Sequence, residues 1–180
     1  MASLRKMHLR TGVGLGRVSE SATGRTMKKR SAGLLLFRRR RGTIEVLLVH
    51  PGGPYWARKD DGAWSIPKGL FEEGEDALEA AKREFQEETG GRPDGAFIEL
   101  GAFKQPGGKL VAAWAVEGEF ELASFTSNSF SMEWPPRSGR TREFPEADRA
   151  GWFTAQEAAV KIIRGQRPII EALLERLQTR

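Results

Sequence analysis

Apolar residues in this chain fall into short runs separated by glycine, proline and clusters of charge. Residues 31–38 (SAGLLLFR) and 44–50 (IEVLLVH) are two such runs, the second with β-branched residues. Arg39-Arg40-Arg41-Gly42 lies between them, which predicts a hairpin with a charged turn. Pro51-Gly52-Gly53-Pro54 predicts a loop by composition. The loop continues from Tyr55 to Gly62, and Trp64-Ser65-Ile66-Pro67 then reads as a short extended piece. From Asp76 to Thr89 the period changes. Ala77, Leu78, Ala81 and Phe85 recur at helical spacing and form one apolar stripe. Glu72, Glu73, Glu75 and Asp76 gather at its start, where the helix dipole favours anions. Gly90-Gly91 and Pro93 end it.

Residues 97–104 and 109–120 predict two further strands around a turn at Pro106-Gly107-Gly108. Residues 124–148 are polar, with Pro135-Pro136, and predict a long functional or mobile loop with room for short strand pieces. A last strand is expected at 150–153. Thr154, with Glu157 three residues on, has the spacing of a capping box for a helix over 155–163. Pro168 suits the start of a final amphipathic helix ending near Leu177. Strands, then a helix, then strands and helices predict an α/β layered domain.

With 180 residues the chain suits one core plus a tail. It contains no cysteine, so disulfides and thiolate metal sites are excluded. A reducing compartment fits this composition, and the cytoplasm is the expected location. The longest apolar run, 110–116, falls far short of the roughly 18 residues a spanning helix needs, so no membrane association is expected. The net charge of +5 is unevenly spread. Residues 1–30 hold eight lysines and arginines against Glu20 alone, and the rest of the chain is slightly acidic. The expected organisation is a disordered basic leader over 1–30 and a folded domain over 31–180. The leader reads as an extension upstream of Met27, as an arm attracted to nucleic acid or anionic surfaces, or as a transit peptide. RNA therefore enters as a candidate partner, and Arg38 to Arg41 reads as a solvated turn sooner than as an RNA contact.

The helix carries the informative cluster. Glu84, Glu87 and Glu88 stand at i, i+3 and i+4, on one face, with Cβ atoms about 5–6 Å apart. Like charges at that spacing repel, and they sit beside the negative end of the helix dipole. Lys82 and Arg83 are adjacent in sequence but are expected to project at other angles. A hard divalent cation is the natural partner, and Mg²⁺ suits carboxylates together with waters and substrate phosphates. On spacing alone a solvated acidic face is the favoured reading.

The surrounding residues resemble the Nudix box. That pattern is Gly, five residues, Glu, seven residues, Arg-Glu, a hydrophobic residue, any residue, Glu-Glu, any residue, Gly and a hydrophobic residue. Gly69, Glu75, Arg83, Glu84, Phe85, Glu87, Glu88 and Gly90 match it, and Gly91 departs from the final hydrophobic position. The resemblance implies an α/β/α Nudix sandwich with a mixed β-sheet and a loop-helix-loop motif. It implies Glu84, Glu87 and Glu88 as metal ligands and catalytic residues, with the carbonyl of Lys68 joining them. It implies Glu75 and Arg83 as a pair that fixes the loop, with Gly69 and Gly90 supporting the motif. The cofactor implied is Mg²⁺, with Mn²⁺ as the substitute, and the partner is a nucleotide-type small molecule.

The implied activity is hydrolysis of a phosphoanhydride bond in a nucleoside diphosphate linked to another moiety. Dinucleoside polyphosphates, nucleotide sugars, ADP-ribose, nucleoside triphosphates and RNA ends are all open. The alternative is a Nudix-fold nucleotide- or RNA-binding regulatory module, against which the three intact glutamates count. The general base is sought outside the box, among Glu133, Glu143 and Glu146, with Glu146 favoured. Trp56, Arg58 and Lys59 on the loop, and Trp134 beside two prolines, are the candidates for substrate binding. Trp114 and Trp152 are expected in the core, and His50 is expected to be structural. Pro106 falls near a downstream proline of an ADP-ribose-cleaving subgroup, a weak pointer. Neither spacing nor composition selects an oligomeric state.

Overall fold

The computed structural model describes residues 30–179. The expectations for the leader lie outside the described residues, except that Arg30 already belongs to the first strand. Strands β1 (Arg30–Arg40) and β2 (Thr43–Pro51) form the expected hairpin, with Phe37 opposite Val46 and Arg40 opposite Thr43. The turn is tighter than expected, only Arg41-Gly42. Arg38 is not a solvated turn residue. Its guanidinium bonds Glu45 and Glu119 at 2.7 and 2.9 Å and lies 4.1 Å from the centre of the Trp152 ring.

Three further strands join this hairpin: β3 (Lys68–Leu70), β4 (Ile98–Lys104) and β5 (Leu110–Glu117). A short hairpin, β6 (Ser129–Glu133) and β7 (Thr141–Pro145), forms a separate two-stranded sheet. Strand β8 (Ala147–Thr154) returns to the main sheet, whose order is β4-β5-β1-β2-β8 with β3 also paired to β1. The β1–β5 pair is parallel and the others are antiparallel, so the sheet is mixed. Helices are α1 (Ala77–Thr89), α2 (Ala155–Lys161) and α3 (Arg167–Gln178).

The central strand β1 explains the layering. Its side chains alternate across the sheet. Ala32, Leu34 and Leu36 pack with Ala80, Ala81 and Phe85 of α1. Leu35 and Phe37 face the other way, onto Ala158, Ile162, Ile169 and Leu173 on the α2–α3 side. Burial on both faces is why the strand reads as a continuous apolar run. Each fully buried leucine or phenylalanine contributes about 2 kcal/mol. The result is an α/β/α sandwich with α1 alone on one face. Among the described residues no helix is long and apolar enough to cross a membrane.

Two expectations are corrected here. The polar segment 124–148 is not a continuous long loop, and the short strand pieces allowed for there are the β6–β7 hairpin and the start of β8. Most positions of that hairpin are exposed, so it lacks the strong apolar signal of a core strand. Helix α2 ends at Lys161 rather than at 163, because Ile162 turns extended to bridge Trp64. The capping box at Thr154 and Glu157 is present. Trp114 and Trp152 are part-buried against the α1-side core, and the indole N–H of Trp152 donates to the Phe120 carbonyl. His50 is fully buried between the Asp148 carboxylate and the Lys59 carbonyl, at 2.9 and 2.7 Å, in keeping with a structural role.

Candidate active site

Helix α1 and the loop before it build the site. The Asp76 carboxylate accepts the Glu79 N–H at 2.9 Å and caps the helix start. The guanidinium of Arg83 reaches Glu75 at 3.2 Å and the Leu70 carbonyl at 3.3 Å, which ties the loop back onto the helix. Strand β3 runs beside β1, with Ala32 opposite Gly69, and this carries Lys68 and Gly69 alongside α1. Gly69 is there by necessity. A Cβ at this position would fall onto the carboxylate of Glu84.

The far end of the helix is stitched to the β6–β7 hairpin. The last carbonyls of a helix lack intrahelical donors. Here the Gln86 carbonyl accepts from Gly90, the Glu87 carbonyl from Asn128 and the Thr89 carbonyl from Thr126. Asn128 also accepts the Glu146 N–H at 2.8 Å, and the Gly52 N–H donates to the Glu146 carbonyl at 3.0 Å. These backbone bonds, with the Ala147 N–H donating to the Ser127 hydroxyl, set Glu146 beside the acidic end of α1.

A cavity of about 480 Å³ opens there, lined by Glu84, Glu87, Glu88, Glu146, Lys68, Gly69, Leu70 and Phe130. Burial pushes the Glu88 carboxyl up to about 8, although the nearby Lys68 charge and a hydrogen bond from the Lys68 N–H pull it down. Glu84 is also raised, first by burial, with Arg83 opposing and Glu87 and Glu146 adding to the rise. Glu146 is exposed as a residue, yet its carboxyl is raised by partial burial and then by the charge of Glu87. Several carboxylates therefore resist full ionisation in one cavity, the condition a cation relieves.

One expectation about the cluster is corrected. Arg83 does not project away from the acidic face. Its Nη1 bonds Glu84 at 2.7 Å and Glu87 at 3.4 Å. The side chain is long enough to bend along the helix to its i+4 neighbour. Among the described residues no three carboxylate or imidazole groups are drawn together as a ready-made cation grip. The donor set nevertheless fits a hard cation in kind, because it offers several carboxylates around a space that Gly69 keeps open.

The four proposed substrate contacts are placed elsewhere. Trp56 packs against the α2–α3 core, and Lys59 lies 4.6 Å over its ring. The Lys59 carbonyl serves His50, and Arg58 is exposed on the same loop. Trp134 meets Tyr55 edge-on at 5.3 Å. None of the four lines the cavity. Phe130, on the same face of the hairpin and four residues before Trp134, does, together with Leu70. The sequence reading missed Phe130 because its strand was hidden in a polar segment. The Phe130–Met132–Trp134 alternation was the signal that could have found it. At the departure from the box pattern, Phe120 packs edge-on to Phe85 and occupies the space beside Gly91.

The chain and its fold match a known family. Residues 27–173 match the NUDIX domain, and the chain belongs to that family. Over 74 residues it is 39% identical to Nudix hydrolase 7 of Arabidopsis thaliana, a stretch that is 41% of this chain and 24% of the relative. The chain thus spans about a quarter of the length of the curated relative it matches. A Caenorhabditis elegans Ap4A hydrolase in a binary complex superposes with a TM-score of 0.54 at 21% identity, over 84% of this chain and 99% of that one. The NUDIX domain of Shewanella oneidensis NrtR, complexed with ADP ribose, gives 0.56 at 16% identity over 83% and 88%. At these identities the structural likeness establishes the fold.

Proposed function

We propose that this chain is a divalent-cation-dependent hydrolase that cleaves a phosphoanhydride bond in a nucleoside diphosphate linked to another moiety. The observation that carries this reading is the cavity shared by Glu84, Glu87, Glu88 and Glu146 beneath Gly69. Glu84, Glu87 and Glu88, with the Lys68 carbonyl, are the residues that would hold Mg²⁺ or Mn²⁺. When bound, such an ion neutralises diphosphate oxygens and stabilises the departing phosphate.

The chain's own residues supply the rest. Glu146 accepts the proton of a water whose oxygen bonds one phosphorus. The bridging P–O bond breaks, and the bridging oxygen leaves with the electron pair as part of a phosphate. Partial burial and the charge of Glu87 raise the Glu146 carboxyl, which makes it a stronger proton acceptor than an ordinary glutamate. Arg83 and Glu75 hold the loop so that Lys68 and Gly69 keep their place against the helix. The substrate family is left as wide as the cavity chemistry: structural neighbours include an Ap4A hydrolase and a NUDIX domain complexed with ADP ribose, and Ap4A and ADP ribose are both phosphoanhydrides of adenosine.

A panel of nucleotide diphosphate derivatives assayed with Mg²⁺ or Mn²⁺, reading both products, tests the proposal. Cleavage of at least one substrate is expected. Glu87→Gln and Glu88→Gln should each lower turnover by about 10² or more while the fold is retained. Wild-type rates in both variants would remove the ligand assignment.

A further inference from the structure

Five large apolar side chains are exposed among the described residues: Tyr55, Leu70, Leu122, Phe130 and Val160. Two of the five, Leu70 and Phe130, line the same cavity as the carboxylates. Apolar surface left open beside a polar site marks where an apolar part of a ligand is received. We propose that Leu70 and Phe130 form the surface on which the nucleobase of the substrate stacks, which makes Phe130 a specificity-determining residue. This inference rests on the hydrolase reading above.

The position of Phe130 is well determined. Phe144 faces it across the hairpin, with ring centres 6.1 Å apart, and the backbone at Gly53 lies close to the tip of its ring. Two residues before it, Asn128 bonds both the Glu87 carbonyl and the Glu146 N–H. The ring is therefore fixed relative to the two ends of the acidic cluster. Leu70 is fixed from the other side, because it follows Gly69 in β3 and pairs with Ser31.

The chemistry of the cavity selects the moiety. Four carboxylates disfavour a second anionic group in the same space. A sugar's hydroxyl groups would turn to the carboxylates or to water rather than to the faces of Leu70 and Phe130. A nucleobase is flat, neutral and presents a π face, and stacking on an aromatic ring tolerates any base. Purines, with the larger face, are expected to bind best. Trp134 and Tyr55 engage each other further along the hairpin and do not reach the cavity.

Calorimetric titration of the wild type, Phe130→Ala, Phe130→Tyr and Leu70→Ala with AMP and with ribose 5-phosphate, all with Mg²⁺ present, tests this. The wild type should bind AMP about tenfold tighter than ribose 5-phosphate. Phe130→Ala should abolish that preference and leave ribose 5-phosphate binding unchanged, Leu70→Ala should weaken it, and Phe130→Tyr should keep it. AMP bound no better than ribose 5-phosphate by the wild type, including no binding of either, would overturn the proposal. So would a preference that survives Phe130→Ala. If no substrate in the panel is cleaved but the AMP preference depends on Phe130, the hydrolase reading fails and the base site stands. If cleavage occurs and Phe130→Ala leaves the base preference intact, the base site fails alone.

Discussion

At the scale of single residues, the site depends on one missing side chain. Gly69 and the Glu84 carboxylate occupy adjoining space, and any Cβ at position 69 must displace the carboxylate or the strand. Displacing Glu84 also disturbs Arg83, which bonds Glu84, Glu87 and Glu75 together. Gly69→Ala should therefore act on the chemistry more than on the fold. The expected outcome is a turnover lowered by about 10², since a shift of about 1 Å in a positioned group costs that much. Weaker Mg²⁺ binding by titration should accompany it, with a melting temperature within a few degrees of wild type. Unchanged kinetics and unchanged Mg²⁺ affinity would show that the close approach has no bearing on catalysis.

At the scale of elements, α1 connects the two halves of the site, and its C-terminus is the joint. Gly90 adopts a left-handed conformation with φ 78°, and a Cβ there would collide with the Thr126 hydroxyl. Thr126 and Asn128 dock on the helix end and lead into the hairpin that fixes Glu146. Gly90→Ala should cost about 1 kcal/mol from the backbone conformation alone. It should also lower kcat, because displacing Thr126 and Asn128 shifts Glu146 away from the acidic cluster. Denaturant unfolding and steady-state kinetics measure the two effects, and a loss of stability with full activity would break the proposed link. The same element shows what the chain's pattern discloses. The stripe of Ala77, Ala81 and Phe85, the capping Asp76 and the stop at Gly90 are local signals, and α1 lies where they place it. Strand β3 has three residues, one of them glycine, so no period is long enough to register. The β6–β7 hairpin owes its position to backbone bonds from Asn128 rather than to an apolar face, so Phe130 was invisible while Glu84, Glu87 and Glu88 stood out. Trp134 drew attention as an aromatic in a polar stretch, but its partner Tyr55 is 79 positions away in sequence.

At the scale of the whole molecule, the acidic cavity ties stability to pH and to cation. The Glu88 carboxyl titrates near 8 in the fold against about 4.5 for an ordinary glutamate, and Glu84 and Glu146 are shifted the same way. The folded protein then binds more protons than the unfolded chain between those values, so unfolding becomes easier as pH rises. This contribution is fully present below about pH 4.5 and is lost as the pH passes through about 8. In chelator, the melting temperature should fall by about 5 °C or more between about pH 5 and about pH 8. Saturating Mg²⁺ should reverse or flatten that slope. Cation binding requires the ionised carboxylates, so its affinity grows as they lose protons, and the folded state gains RT ln(1 + [Mg²⁺]/Kd). Calorimetric melting over this pH range, with and without Mg²⁺, separates the cases. Glu88→Gln should remove most of the pH slope seen in chelator, because it takes the largest shifted group out of the cavity and leaves its shape. A metal-free melting temperature that is flat or rises with pH would mean that these carboxyls ionise freely, and the case for a cation as their necessary partner would fall with it.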